Sequence, residues 1–162
     1  MTTPVFIALG GNLGDRAARL DAALARLGAA MHVEIRSPLY ETAPLYVTDQ
    51  PAFLNQVVGG RTALTALALL DRLQDIERAL GRVPGERFGP RAIDLDILYY
   101  GDAIIDRPPS LVIPHPRIAE RRFVLQPLAD IAAAHRDPAT GKTVAEMLAA
   151  LPPSDDVRAW VA

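Results

Sequence analysis

The order of two strand-like segments constrains the fold more than any other feature of the sequence. Residues 32–41 and 53–61 both have strand chemistry, and residues 42–51 between them carry two prolines and no helical periodicity. Neighbouring parallel strands need a crossover of roughly a dozen or more residues, usually a helix. Because no helix separates these two strands, a doubly wound parallel sheet is disfavoured and a mostly antiparallel sheet is favoured.

Apolar spacing elsewhere predicts the remaining elements. Further strands are predicted at 5–9, 93–100 and 103–105, the last as a hairpin partner of the one before it, and helices at 15–28, 65–80 and 143–151. Residues 118–131 predict short helical pieces broken at Pro127, and the tail after Pro153 is predicted to be loosely held. This order predicts an α+β fold, a ferredoxin-like sandwich whose helices cover one face of a mostly antiparallel sheet.

Composition narrows the class of protein. A chain of 162 residues that is 50% hydrophobic and 22% charged is typical of one globular domain, predicted here to span residues 1–162. The lack of cysteine excludes a disulfide, a thiolate zinc site and a cysteine nucleophile. No segment reaches the roughly 18 apolar residues of a membrane span, and a net charge of −2 does not favour nucleic acid. We expect a cytoplasmic monomer that binds neither membranes nor nucleic acid.

Two aspartates in the predicted strand at 93–100 form a candidate metal site. Residues two apart in a strand point to the same face, so Asp94 and Asp96 would present adjacent carboxylates. The apolar residues beside them, Ile93, Leu95 and Ile97, would face the core. Neighbouring carboxylates repel unless a cation joins them, and Mg²⁺ prefers such oxygen ligands together with waters and phosphates. For a bare pair, an exposed polar strand face is the commoner explanation.

Three arginines, Arg82, Arg87 and Arg91, lie on the loop that leads into these carboxylates. Guanidinium groups stay charged and match the geometry of phosphate oxygens. Solvation at the surface would explain any one of them, but together with a metal they fit a polyphosphate site that catalyses transfer by positioning and charge neutralisation. A P-loop is excluded, because its motif, GxxxxGK[ST], does not occur around Lys142, the one lysine of the chain.

The longest motif carries a family resemblance. Residues 87–98 read Arg-Phe-Gly-Pro-Arg-Ala-Ile-Asp-Leu-Asp-Ile-Leu, which resembles the signature of the 6-hydroxymethyl-7,8-dihydropterin pyrophosphokinases. The resemblance covers nearly the whole chain and includes segments 8–14, 40–45, 50–55, 113–116 and 121–128, with Glu77 and the Gly81-Arg82 pair. It implies a folate-synthesis enzyme in which the pterin hydroxymethyl oxygen attacks the β-phosphorus of ATP and AMP is released.

The resemblance also implies roles for the residues that contact ATP. Asp94 and Asp96 would hold two Mg²⁺ ions, and Arg82 and Arg91 would be catalytic. The remaining residues implied at the ATP site are Gln74, Glu77, Arg87, Phe88, Ile97, His115 and Arg121. Taken singly, His115 could be a satisfied loop histidine, and Glu77 could sit at the solvent boundary of its helix.

A second set of residues is implied for the reduced hydroxymethyl pterin. Phe53 and Phe123 would sandwich its flat ring system, since aromatic rings stack with an offset. Asn55 would read the pterin edge through its amide, which offers both a donor and an acceptor. Backbone groups near Thr42, Ala43 and Leu45 would complete this contact. Without the joint match, the two phenylalanines would be read as core residues.

Two other function classes fit parts of the pattern. Polymerase and nuclease palms and D-x-D glycosyltransferases also hold metal with paired carboxylates. A polymerase or nuclease should show a basic stripe, whereas this chain has a net charge of −2. A non-catalytic sensor of the same fold would bind a small molecule without consuming ATP.

Overall fold

The computed structural model describes residues 1–43, 49–81 and 92–161. The strands in these ranges are β1 (Thr3–Gly11), β2 (His32–Arg36), β3 (Tyr40–Thr42), β4 (Phe53–Thr62), β5 (Asp94–Tyr100), β6 (Ile105–Arg107), β7 (Leu111–Ile113) and β8 (Val157–Ala159). The α-helices are α1 (Arg16–Leu27), α2 (Ala66–Ala79), α3 (Arg122–Ala132) and α4 (Val144–Ala149), and a 3₁₀ turn covers Ile118–Glu120.

The main sheet is antiparallel in every pairing that the structure describes. Its order is β5-β1-β4-β3-β8. Strand β2 pairs with the same edge of β4 as β3 does, nearer to the C-terminal end of β4. Strands β6 and β7 form a separate two-stranded sheet. The predicted α+β fold with a mostly antiparallel sheet is confirmed.

Ser37 divides the strand predicted at 32–41 into β2 and β3. Its N–H donates to the Val57 carbonyl at 2.9 Å, and its hydroxyl accepts from the Val57 N–H at 3.0 Å. Pro38, which follows, has no N–H with which to continue the ladder. The regular strand is therefore interrupted at residues 37–39 and resumes beside β4 as β3.

Helices cover both faces of the sheet, so the prediction of one covered face is wrong. Along β1, Val5, Ile7 and Leu9 belong to a buried cluster shared with α1 and α2. Phe6 and Ala8, which alternate with them, pack against a second buried cluster formed with α3 and α4. A central strand whose residues 5–9 are all apolar needs cover on both faces.

A half-buried histidine contacts two aromatic rings of the second cluster. The His135 ring lies 5.1 Å from the Phe6 ring and 4.5 Å from the Tyr99 ring, centre to centre. The Tyr99 hydroxyl donates to the Asp137 carboxylate at 2.7 Å. Burial lowers the pKa of His135, and the nearby Asp137 carboxylate opposes this effect.

Helix ends follow the capping residues that the sequence contains. The Asp15 side chain accepts from the Ala18 N–H at 3.1 Å at the start of α1. Thr143 and Glu146 exchange side-chain to backbone hydrogen bonds in a capping box at the start of α4. Gly81, with φ +92°, follows the end of α2, where the left-handed conformation favours glycine.

The hairpin predicted from β5 into residues 103–105 is wrong. After the turn at Gly101, β6 begins at Ile105 and pairs with β7 instead. The outer edge of β5 has other partners: the Leu95 N–H donates to the Glu77 carboxylate, and the Leu98 carbonyl accepts from the His115 N–H. A returning strand would have to displace both contacts.

The two predictions for the C-terminal third also need correction. Helix α3 runs through Pro127 without a break. Proline inside a helix costs roughly 3 kcal/mol, and here Pro127 is buried on a helix whose Leu125 and Leu128 side chains are fully buried. The tail is not loose, because β8 pairs with β3 and Trp160 packs against the first cluster.

Among the described residues, none of the helices has the length and apolar character that crossing a bilayer requires.

Candidate active site

Three strands bring the predicted site residues into one row across the sheet. Gly10 of β1 lies opposite Asp94 of β5 on one side and opposite Asn55 of β4 on the other. All three lie on the α3 face of the sheet, because they alternate with residues of the first cluster. Two strand spacings separate the backbones of Asp94 and Asn55, roughly 10 Å.

The two aspartates share a face, as predicted. Asp94 and Asp96 are half-buried, while Leu95 and Ile97, which alternate with them, point into the first cluster with exposures of 4% and 6%. Asp96 lies opposite Ala8 of β1. Ile97, predicted to border the adenine, is thus a core residue on the opposite face from the carboxylates.

Glu77 is buried rather than at a solvent boundary. It is 7% exposed, and its Oε2 accepts from the Leu95 N–H at 2.9 Å. This contact places its carboxylate against the backbone between Asp94 and Asp96. Gln74, one turn earlier on α2, is exposed.

His115 is held beside β5 in a defined tautomer. Its Nδ1 accepts from the Arg117 N–H at 3.3 Å, so in the neutral ring the proton lies on Nε2. Burial, followed by the positive charge of Arg121, lowers the pKa of His115 to about 4, with Asp94 opposing and Arg117 adding to the shift. A neutral imidazole therefore offers one N–H donor next to the carboxylates.

The start of α3 brings a charged and an aromatic residue together. The Arg121 guanidinium carbon lies 5.4 Å from the centre of the Phe123 ring, within the range of a cation–π contact. The Arg121 Nε is buried and has no hydrogen-bond partner among the described residues. Phe123 is half-buried against the second cluster. A residue predicted to contact phosphate thus touches one predicted to stack on the pterin.

The Asn55 amide has a fixed orientation. It is 8% exposed, and its Oδ1 accepts from the Thr42 hydroxyl at 2.7 Å. Its Nδ2 lies over Gly10, where an added Cβ would approach to 2.7 Å. Only glycine leaves room for this amide. Phe53 lies opposite Thr42 in the register and is half-buried on the same face.

Residues that the sequence reasoning did not assign anchor the segment before β4. The Asn12 amide donates to the Gln50 side chain and to the Pro51 carbonyl, each at 2.9 Å. Arg16 donates to the Ala52 carbonyl at 3.0 Å and pairs with Glu41 at 2.7 Å. The Gly10-Gly11-Asn12 motif was the available signal. A glycine-rich run of this kind indicates a turn, whereas these contacts join parts of the chain that are far apart in sequence.

Tyr40 is another residue without a predicted role. Its hydroxyl donates to the Asp130 carboxylate of α3, and it lies opposite Asn55 in the register. Burial and the Asp130 contact raise the pKa of Tyr40 to about 12, so it remains a donor at neutral pH. This contact fixes α3 against β3.

Five predicted site residues lie outside the described residues: Leu45, Arg82, Arg87, Phe88 and Arg91. Ala43 is exposed at the end of β3.

The donor set fits Mg²⁺ better than a metal caged by protein alone. No group of three or more metal-binding side chains occurs in the part of the chain that the structure describes. Mg²⁺ is typically bound by one or two carboxylates, with waters and substrate phosphates completing its shell. Asp94 and Asp96 match that chemistry.

Comparison with known proteins gives the family. Residues 6–133 match the family described as 7,8-dihydro-6-hydroxymethylpterin-pyrophosphokinase (HPPK). The 2-amino-4-hydroxy-6-hydroxymethyldihydropteridine pyrophosphokinase of Pseudomonas aeruginosa is 45% identical over 155 residues, which cover 94% of each chain. The mitochondrial folate synthesis bifunctional protein of Pisum sativum is 49% identical over 128 residues, and the match covers 78% of this chain.

The bifunctional relatives are much longer proteins. The match spans about a quarter of the Pisum sativum protein, 25% of its length. A crystal structure of Plasmodium falciparum HPPK-DHPS superposes with a TM-score of 0.76 over 92% of this chain and 43% of that one. At 17% identity this likeness supports the fold alone. On the sequence matches, the chain belongs to the 7,8-dihydro-6-hydroxymethylpterin-pyrophosphokinase family.

Proposed function

We propose that this chain transfers pyrophosphate from ATP to 6-hydroxymethyl-7,8-dihydropterin, giving the pterin diphosphate and AMP in folate synthesis. One observation carries the proposal. The Asn55 amide, fixed by Thr42, and the Asp94 carboxylate share one face and one row of the sheet, with only Gly10 between them. An amide that can hydrogen-bond to a heterocycle therefore lies beside the carboxylates, Asp94 and Asp96, that can bind the metal ions of a metal–phosphate complex.

The carboxylate side of the row would bind the triphosphate. Asp94 and Asp96 would hold two Mg²⁺ ions, which neutralise phosphate charge when bound. The neutral His115 would donate from Nε2 to a phosphate oxygen, and Arg121 would supply a permanent positive charge. Arg82 and Arg91 are proposed as the catalytic arginines from the sequence resemblance.

The nucleoside would lie along the outer edge of β5. Gln74 is exposed on the α2 face beside it, and Glu77 holds the Leu95 backbone there. The Ile97 residue is only 6% exposed, so little of its surface would contact the adenine. Arg87 and Phe88 would complete this side, again from the resemblance.

The amide side of the row would bind the pterin. Asn55 presents its Nδ2 group while Thr42 occupies its oxygen, so the amide would act mainly as a donor. Phe53 and Phe123 would stack on the two faces of the ring system. Backbone groups of Thr42, Ala43 and Leu45 would contact its edge. The pterin oxygen would then attack the β-phosphorus, with catalysis by positioning and charge neutralisation.

The test is AMP formation by the purified protein with Mg²⁺, ATP and the reduced hydroxymethyl pterin. We expect AMP only when the pterin is present, and none with Asp96→Asn. Pterin binding without AMP would favour a sensor, and AMP independent of pterin would favour another nucleotide-hydrolysing class. The monomeric state and the cytoplasmic location remain predictions.

A further inference from the structure

The C-terminal strand lies outside the region that the family match covers. That match ends at residue 133, whereas β8 spans Val157–Ala159 and forms the edge of the main sheet. Its partner is β3, the strand that carries Thr42. The contact therefore joins the end of the chain to the proposed pterin site.

Strand β3 is too short to be well fixed by one neighbour. It consists of Tyr40–Thr42 and pairs on one side with β4 and on the other with β8. Edge strands with unpaired N–H and C=O groups are prone to opening. Since Thr42 orients the Asn55 amide, movement of β3 would move the group that reads the pterin.

The pairing continues into the residue that follows β3. The Ala43 N–H donates to the Asp156 carbonyl at 3.1 Å. Ala43 is one of the positions whose backbone is proposed to contact the pterin edge. The C-terminal segment thus fixes the direction in which the chain leaves β3.

The C-terminal segment is itself anchored at both ends. Trp160 packs against the first buried cluster, and its N–H donates to the Leu39 carbonyl at 3.0 Å. At the other end, Arg122 donates to the Pro152 carbonyl at 2.7 Å. Arg122 precedes Phe123 on α3, so the segment connects the region of the proposed stacking residue with β3, the strand that carries Thr42.

We propose that β8 is a positioning element of the pterin site: it holds Thr42 and Ala43 where they orient Asn55 and contact the pterin edge. This inference rests on the proposed function. It assigns no chemistry to β8, whose residues do not touch the reacting groups.

Backbone geometry provides a matched pair of variants. Two hydrogen bonds flank the β3–β8 pair, one between Ala43 and Asp156 and one between Trp160 and Leu39, and each is two residues away from the Glu41–Arg158 pair. Because hydrogen-bonded pairs recur at every second residue of an antiparallel ladder, Glu41 and Arg158 also form a hydrogen-bonded pair. The Arg158 N–H therefore faces β3, and the Ala159 N–H faces away. Proline at an edge strand is tolerated only where its nitrogen faces solvent. Both side chains are exposed, so the substitutions differ mainly in the ladder bond.

We expect Arg158→Pro to weaken pterin binding roughly fivefold or more, the effect of about one lost hydrogen bond. The dissociation constant for ATP should stay within about twofold, because no contact of β8 described above involves the ATP residues. Ala159→Pro should leave both affinities unchanged. Arg158→Ala controls for the side-chain contacts with Asp155 and should behave like the unmodified chain. Equal pterin affinity in Arg158→Pro and Ala159→Pro would overturn the inference.

Hydrogen exchange of the unmodified chain gives an independent result, even if Arg158→Pro does not fold. Coupling is reciprocal, so saturating pterin should slow exchange at the Ala43 and Trp160 amides. Unchanged protection at both would also overturn the inference. Failure of the proposed function is distinguishable, because the unmodified chain would then bind no pterin and form no AMP.

Discussion

Gly10→Ala tests whether the space over Gly10 is what holds the Asn55 amide in place. A Cβ at residue 10 would lie 2.7 Å from Asn55 Nδ2, well inside the roughly 3.5 Å of an ordinary non-bonded contact. Asn55 is 8% exposed and bonded to Thr42 at 2.7 Å. The amide can move aside only by breaking that bond or displacing buried neighbours.

Both ways of relieving the clash have similar costs. Overpacking a buried site costs about 1–3 kcal/mol, and a buried acceptor that loses its donor also costs about 1–3 kcal/mol. The structure will relax by whichever of these changes costs less free energy, so we expect the free energy of unfolding to fall by about 1–3 kcal/mol. Because a displaced Asn55 no longer faces the pterin, pterin affinity should fall by roughly tenfold or more, the equivalent of about 1.4 kcal/mol.

Urea unfolding measures the stability change, and calorimetry measures pterin affinity. Gly28→Ala is the matched control, because its Cβ would meet the Ala25 carbonyl at 3.5 Å and its φ is −56°. That variant should be unchanged or gain about 0.4–1 kcal/mol. Gly10→Ala placed on Asn55→Ala should cost much less than Gly10→Ala alone, since the clash partner is gone. An equal cost in the two backgrounds would refute the reasoning.

Three further predictions follow from the site and the core. Asp96→Asn should nearly abolish turnover with little change in unfolding temperature, because a neutral amide is a poor Mg²⁺ ligand; near-normal rates would contradict the metal assignment. Phe53→Ala or Phe123→Ala should weaken pterin binding by about 1 kcal/mol or more. Phe53→Ala should change the ATP affinity less than Phe123→Ala, because Phe123 also contacts Arg121. Unchanged calorimetric affinity for the pterin in both variants would contradict stacking by the two phenylalanines. Burial lowers the pKa of His135 below 6.5, so the unfolded chain takes up the proton first and stability should fall as the pH drops below about 6.5. His135→Phe should flatten that slope in urea titrations, and an equal slope would show that His135 does not contribute.

Local patterns in the sequence predicted the elements whose signals are local. Asp15 and Thr143 mark helix starts through hydrogen bonds to residues only three positions away. The shared face of Asp94 and Asp96 follows from strand alternation alone. These features need no knowledge of distant partners.

Features that depend on distant partners were missed or wrong. Strand β8 forms because β3 offers an open edge more than a hundred residues earlier in the chain, which no local pattern shows. Glu77 is buried because the Leu95 N–H needs an acceptor at the edge of β5. The break at Ser37 depends on its bonds to Val57 across the sheet. In each case, pairing between remote segments overrides the local signal.

The most direct test of the proposed transfer follows oxygen atoms in water enriched in ¹⁸O. The protein is mixed with Mg²⁺, ATP and the reduced hydroxymethyl pterin, and the products are analysed by mass spectrometry. Attack of the pterin oxygen on the β-phosphorus predicts one pterin diphosphate for each AMP, with no solvent oxygen in either product. Solvent ¹⁸O in AMP or in free pyrophosphate, without pterin diphosphate, would show that water is the acceptor and would contradict the proposed function.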